Sequence, residues 1–364
     1  MKAWVLQDIG KITYTDVPVP KPGEGEVLVR VKAAGICGSD IPRIYRDGAH
    51  KMPLIPGHEF AGEVVELGKG SDKEWMHKRV GVYPLIPCHF CATCRKDQYE
   101  MCKQYSYLGS RRDGGFGEYV AVPQNNLIPL PDSVSYEQAA MLEPLSVAVH
   151  AMRRVSVIQS DTVTVCGLGT IGMLLVMLLK ECGIEKLLLI GNKEYQQKKA
   201  MEMGIPKEHY CDCRNEDVTK WLARHTDGNG TDIFFECVGR NETVSQAVDL
   251  TAAGGRICLV GNPHTDMMLD KQTYWKILRN QLLVTGTWNS SFLASENTER
   301  QKSTDWEYAL DMLESGRIMP ERLISHRFDM AQLDKGLHVM RDRTEDYLKV
   351  MMGNSVSFHL EFTR

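Results

Sequence analysis

Charge of one sign is scarce in this chain: 43 Lys and Arg stand against 47 Asp and Glu, for a net charge of -4 over 364 residues. With no long basic cluster either, nothing draws it to phosphate backbones or anionic membranes, and nucleic acid is excluded as an expected partner. Long hydrophobic runs are also missing. The longest uncharged stretch, Thr162 to Leu179, has the length of a membrane span. It is broken by Gly167, Gly169 and Gly172, so a strand, a glycine turn and a helix explain it better. Met1 to Gly10 carries no apolar segment of secretory length, and the expected location is cytoplasmic. There is no repeat period and no low-complexity tract, and 43% hydrophobic residues is an ordinary globular value. Cysteine is not scarce, but its eleven copies are an odd number without an export signal. That disfavours a disulfide framework and favours metal ligation or plain burial.

A chain of this length exceeds what one hydrophobic core supports, so two domains are expected. Up to about His150 the pattern is short alternating apolar segments, such as Glu26 to Val31 and Ala61 to Leu67, between Gly and Pro clusters. This reads as mostly β. From Val163 to Val284, apolar strands alternate with helical stretches: Val163 to Cys166, Leu187 to Ile190, Ile233 to Cys237, Arg256 to Val260 and Leu282 to Thr285. Such alternation predicts an α/β, doubly wound parallel sheet over 151–288. The tail 289–364, with a helical stretch Asp305 to Glu314 and a strand-like Lys349 to Met352, is expected to return to the domain formed by 1–150. For Gly353 to Arg364 the pattern supplies no account.

Cys88, Cys91, Cys94 and Cys102 form C-x2-C-x2-C-x7-C within about 85–105. Four thiolates on one tight loop can close a tetrahedral zinc shell with no open position, which makes a structural site. An iron–sulfur cluster is the rival, but its bacterial signature closes with three intervening residues and a Pro, against seven and Lys103 here. A second motif follows the apolar strand Thr162 to Cys166. Gly167-Leu-Gly169-Thr170-Ile171-Gly172 opens an apolar helix, the arrangement that seats a dinucleotide pyrophosphate on a helix N-terminus. A glycine turn serving packing alone is the alternative. Nineteen residues past Gly172, where an NAD-type fold presents a carboxylate to the ribose 2′-hydroxyl, this chain has Gly191-Asn192-Lys193. Loss of the carboxylate and gain of a lysine favour NADP(H), with NAD(H) left open.

Cys37 in Gly-Ile-Cys-Gly-Ser-Asp, His58 in Pro-Gly-His-Glu-Phe and Glu143 in Leu-Glu-Pro-Leu offer one thiolate, one imidazole and one carboxylate. With water or substrate in a fourth position they could hold a Lewis-acid zinc. Singly, each reads as a buried Cys, a satisfied His and a helix-initial Glu, and spacing alone does not choose.

Gly57-His58-Glu59-Phe-Ala-Gly-Glu-Val-Val, after Cys37-Gly-Ser39-Asp40, resembles the zinc-signature region of medium-chain zinc dehydrogenases, and the four-cysteine loop is similar to that family's structural-zinc lobe. The resemblance spans residues 1 to 352. It implies a mostly β GroES-like catalytic domain beside a doubly wound Rossmann domain, one catalytic and one structural zinc, and hydride transfer between an alcohol and a nicotinamide. In polyol-type members the third ligand is the Glu of a segment like Glu143-Pro-Leu-Ser-Val-Ala-Val-His150, which points to Glu143. Glu59 is implied as an alternate or water-bridged ligand, and Asp40 as the residue that orients His58. Ser39 is implied to bond the substrate oxygen and pass its proton outward. Alcohol dehydrogenases often continue that path with a His where this chain has Pro42, leaving His50 or water to complete it.

The segments Ile41-Pro-Arg43-Ile to Asp47-Gly-Ala-His50, Gly109 to Tyr119 and Gly286-Thr-Trp288-Asn289 resemble members that oxidise a sugar-alcohol phosphate. The implied reaction is galactitol 1-phosphate to tagatose 6-phosphate, with Arg43, His50, Lys51 and Arg111 as candidate phosphate binders. An unphosphorylated polyol, threonine, or a nucleotide-sensing role without catalysis are the alternatives. A homodimer or homotetramer is implied, joined at the sheet edge near Leu282 to Thr285.

Overall fold

The computed structural model describes residues 1–263, 265–292 and 303–353. The tail beyond Gly353 lies outside them. The chain divides into two compact units, one of Met1–Glu143 with the segment from Ser291 onward, the other of Pro144–Ser290. The break falls in the first turn of the helix Leu142–Arg154, ahead of the expected boundary at residue 150.

The first unit is built on the strand Glu26–Ile36. Its β-branched residues Val27, Val29 and Val31 are wholly buried, and such side chains pack well on a pleated surface. One edge of this strand pairs antiparallel with Glu59–Leu67. The other edge is shared by Tyr119–Pro123, along Glu26 to Arg30, and by Lys349–Gly353, along Ala33 to Ile36. Arg79–Val82, Leu127–Pro129 and Ile324–Asp329 complete a seven-stranded sheet. The C-terminal strand thus returns to the first unit, in register with the end of Glu26–Ile36 that leads into Cys37. Phe60, Val64, Phe116, Leu337 and Val350 fill the core around it.

The second unit is a six-stranded parallel sheet in the order Tyr210–Asp212, Lys186–Gly191, Thr162–Cys166, Thr231–Glu236, Thr251–Leu259, Leu283–Gly286. Residues such as Val163, Val165, Leu188, Leu189, Phe234 and Phe235 are fully buried. Continuous apolar runs of this kind are what a sheet covered on both faces requires. The short strand Tyr210–Asp212 was not expected from the pattern. Strand order reverses between Thr162–Cys166 and Thr231–Glu236, and in open α/β sheets ligands bind beyond the carboxyl ends of strands at such a switch.

Candidate functional site

Strand ends in the first unit present the open group. Cys37 follows Glu26–Ile36 directly and His58 immediately precedes Glu59–Leu67. Since those two strands pair, Gly35 opposite Glu59, residues over twenty positions apart become neighbours. Cys37, His58 and Glu59 each offer a ligand atom within 4.8 Å of the other two. Glu143, the expected third ligand, stands outside that group. It is buried in the first turn of its helix, and its carboxylate accepts a hydrogen bond from the Tyr107 hydroxyl at 3.2 Å. Burial, opposed by His58 and reinforced by Glu59, pushes the Glu143 carboxyl up to about 7.

Asp40, fully buried, organises the site from beneath. Its carboxylate accepts from the Cys37 backbone N–H at 3.0 Å and from Arg43 at 2.5 Å, and lies 3.5 Å from His58 Nδ1. Burial pulls the His58 pKa down, but Asp40 and the Cys37 sulfur more than offset it and hold the imidazole well above its usual range. A ring turned to a carboxylate through Nδ1 keeps its other nitrogen for a cation. The Ser39 hydroxyl donates to Cys37 Sγ at 3.3 Å. A half-buried thiol beside a buried imidazole and a buried carboxylate offers the mixed S, N, O donor set that suits zinc.

The four cysteines of the lobe also converge. Sγ separations are 3.9 Å for Cys88 to Cys94, 3.5 Å for Cys91 to Cys94 and 3.9 Å for Cys91 to Cys102. Sulfurs about 2.3 Å from a tetrahedral zinc lie about 3.8 Å apart, so the lobe has the dimensions of a closed thiolate shell. Asp97, in the left-handed region, turns the chain after the short helix Cys94–Lys96 so that Cys102 comes back to the cluster. The Thr93 hydroxyl and the backbone amides of Cys94 and Lys103 lower the Cys91 thiol to about 5.

In the second unit, each glycine of the loop has its own reason. Gly167 takes a φ of +94° and packs against Val238 and Cys237, leaving no space for a Cβ. A Cβ on Gly172 would sit 2.0 Å from the Gly167 carbonyl oxygen. Gly169, the N-cap of the helix Thr170–Glu181, has open space beside it, the room a pyrophosphate needs. Asn192 and Lys193 follow the neighbouring strand Lys186–Gly191, with Lys193 as N-cap of the helix Glu194–Glu202. Parallel pairing sets Gly191 opposite Asp212, whose carboxylate is paired with Arg214.

The alcohol dehydrogenase GroES-like domain matches residues 23–132 and the zinc-binding dehydrogenase domain residues 170–315. Galactitol 1-phosphate 5-dehydrogenase of Escherichia coli is 31% identical over 328 residues, covering 90% of this chain and 92% of that protein. The chain belongs to the zinc-binding medium-chain dehydrogenases. Sorbitol dehydrogenase of Halalkalibacterium halodurans is similarly 31% identical, over 94% of this chain and 96% of that one. A zinc-binding dehydrogenase of Sinorhizobium meliloti, solved bound to NADP, superimposes with a TM-score of 0.86 at 28% identity, covering 97% of this chain and 98% of that structure. As a member of this family the protein is an oxidoreductase acting on CH–OH donors.

The dehydrogenase carries two polar residues beside its metal group, one half-buried and one buried, that motif reading passed over. Tyr107 donates to Glu143 and packs edge-on to His58, ring centroids 5.8 Å apart; no local pattern marks it. Lys349, 2% exposed, pairs with Glu59, and its signal was a lone charge at the start of an otherwise apolar strand. No helix among the described residues is long and apolar enough to cross a membrane.

Proposed function

We propose that the protein interconverts a sugar-alcohol phosphate and its ketose phosphate, galactitol 1-phosphate and tagatose 6-phosphate being the best-fitting pair, with NADP(H) as coenzyme. The observation that carries the anionic substrate is electrostatic: His50 lies below its ordinary range through burial first and then through the positive charges of Arg111 and Arg43. Two guanidiniums from separate segments therefore flank His50, and Arg43 ties them to the metal group through Asp40. A dianionic headgroup is what such a cluster serves. The Arg111 guanidinium stacks on the Tyr105 ring at 4.6 Å, which leaves its edge donors for a ligand. Arg43, by contrast, is committed to Asp40, and that observation favours an unphosphorylated polyol as second reading. The coenzyme reading rests on Asn192 and Lys193 in place of a carboxylate, and the NADP-bound relative is consistent with it.

Cys37 and His58, with Glu59 or Glu143 as carboxylate, are the residues that would hold zinc at the open site, and Cys88, Cys91, Cys94 and Cys102 those that would hold it in the lobe. When bound, the open-site zinc supplies Lewis acidity to the substrate hydroxyl and the nicotinamide supplies the hydride acceptor. Oxidation of the secondary alcohol removes one hydride and one proton. Ser39, beside Cys37, accepts the hydroxyl proton and passes it to solvent. Asp40 holds the His58 ring in place. The reading places the protein in the cytoplasm, where a reducing compartment keeps metal-ligating thiolates from oxidation. A homodimer through the edge strand Leu283–Gly286 completes the reading.

The test is initial-rate kinetics with NADPH and NADH on tagatose 6-phosphate and tagatose, alongside zinc analysis. Reduction of the phosphorylated ketose alone, faster with NADPH, with two zinc ions per chain, is the expected result. Equal turnover of tagatose would sink the phosphate reading, and a preference for NADH would sink the coenzyme reading. One zinc per chain and no turnover would point to a nucleotide sensor.

A further inference from the structure

Lys349 opens the last described strand, and both its exposure, 2%, and that of Glu59, also 2%, are close to nil. Its Nζ donates to a Glu59 carboxylate oxygen and to the Ile36 carbonyl at 3.2 Å. It thus grips both flanks of the open metal group, the carboxylate that stands with Cys37 and His58 and the backbone next to Cys37. Three adjacent strands are matched to this pair. Gly35 lies opposite Glu59 on one side and Met351 on the other. A Cβ on Gly35 would fall 2.4 Å from the Glu59 carboxylate and 2.7 Å from Lys349 Cε. The glycine in Gly-Ile-Cys-Gly-Ser-Asp is therefore the floor of a slot sized for one lysine and one glutamate. A buried ion pair adds little stability over apolar residues of the same volume, so packing alone does not account for it.

We infer that Lys349 is a positioning residue that competes with the metal for Glu59. While the ammonium holds the carboxylate, Glu59 would be kept off the metal and leave its open position to substrate; when Lys349 lets go, Glu59 would be free to act as the alternate ligand that the family resemblance implies and to assist exchange of water and product. This rests on the metal reading above but not on the identity of the substrate.

Cobalt-substituted protein tests it, through the visible absorption of the metal and its rate of removal by a chelator, for wild type, Lys349→Met, Lys349→Arg and the double variant Lys349→Met/Glu59→Gln. The cysteine lobe contributes equally to each and cancels in difference spectra. In Lys349→Met, with the competitor gone, a carboxylate oxygen should enter the cobalt shell. The expected signs are a changed open-site band, metal release about tenfold slower, and a lower kcat with KM little altered. Lys349→Arg should restore the wild-type spectrum. The double variant leaves no buried unpaired charge, so it reports even if Lys349→Met does not fold; with no carboxylate to enter the shell, it should keep the wild-type open-site spectrum while kcat, deprived of the Glu59-assisted exchange, falls about tenfold. A wild-type spectrum and release rate in Lys349→Met, or a wild-type kcat in the double variant, overturns the inference and leaves the pair as a staple between strands. Wild-type protein that takes up cobalt only in the lobe refutes the metal reading itself.

Discussion

Asp40 has no exposed surface, yet its two carboxylate oxygens serve the Cys37 backbone amide, the Arg43 guanidinium and the His58 ring. An asparagine has the same shape but only one acceptor oxygen. Asp40→Asn must abandon either the Cys37 turn or His58 and Arg43, and the imidazole loses the charge that orients it. The variant is expected to hold zinc at the open site about 10–100-fold more weakly while the lobe keeps its ion. Chelator competition with a colorimetric zinc readout would show one weak and one tight ion per chain; two ions of wild-type affinity would refute the role given to Asp40. At this scale legibility follows sequence distance. Asp40 lies three residues from Cys37 and was readable through the motif. Lys349 meets Glu59 across a separation of 290 positions, and nothing local to either residue announces the other. The same limit hides the pairing of Gly35 with Glu59, which brings that carboxylate beside Cys37.

The glycine loop makes a prediction that belongs to the element as a whole, because its glycines differ in what a Cβ would meet. Gly172→Ala places a carbon 2.0 Å from the Gly167 carbonyl, so the helix Thr170–Glu181 must move away from the strand end. Both the melting temperature and coenzyme affinity should fall. Gly169→Ala meets nothing within 4 Å, so its melting temperature should match wild type while its coenzyme Kd rises about tenfold or more, about 1.4 kcal/mol. Thermal melts and NADPH fluorescence titration separate the two, and a Gly169→Ala protein with wild-type affinity would exclude this loop as the pyrophosphate seat. The loop was legible because strand, turn and helix are contiguous. So was the four-cysteine lobe, whose ligands lie within a single short loop. The strand Tyr210–Asp212 was not: three residues carry no periodicity, and it exists because Lys186–Gly191 offers it an edge.

At the scale of the whole molecule, the strand Leu283–Gly286 ends the parallel sheet and leaves one row of backbone groups without a strand partner among the described residues. Leu283 and Val284 on it are 56% and 39% exposed. The helix Lys271–Arg279, which leads into this strand, shows Tyr274, Trp275 and Leu278 each more than half exposed; three- and four-residue spacing sets Leu278 beside both aromatics. Native proteins usually blunt an edge with charge, proline or a bulge, and a patch of large apolar side chains signals an interface. A two-fold axis across the edge would pair the strand with its own copy, covering both features with one surface. Sedimentation should therefore give a mass near twice the 41.1 kDa of the chain. Leu283→Lys sets a charge on the seam without touching the buried core, and should weaken the dimer about a hundredfold, about 2.7 kcal/mol, with zinc content unchanged. A wild-type protein that sediments as a monomer at micromolar concentration would remove the edge strand as the joint and leave Tyr274, Trp275 and Leu278 to be explained by another partner.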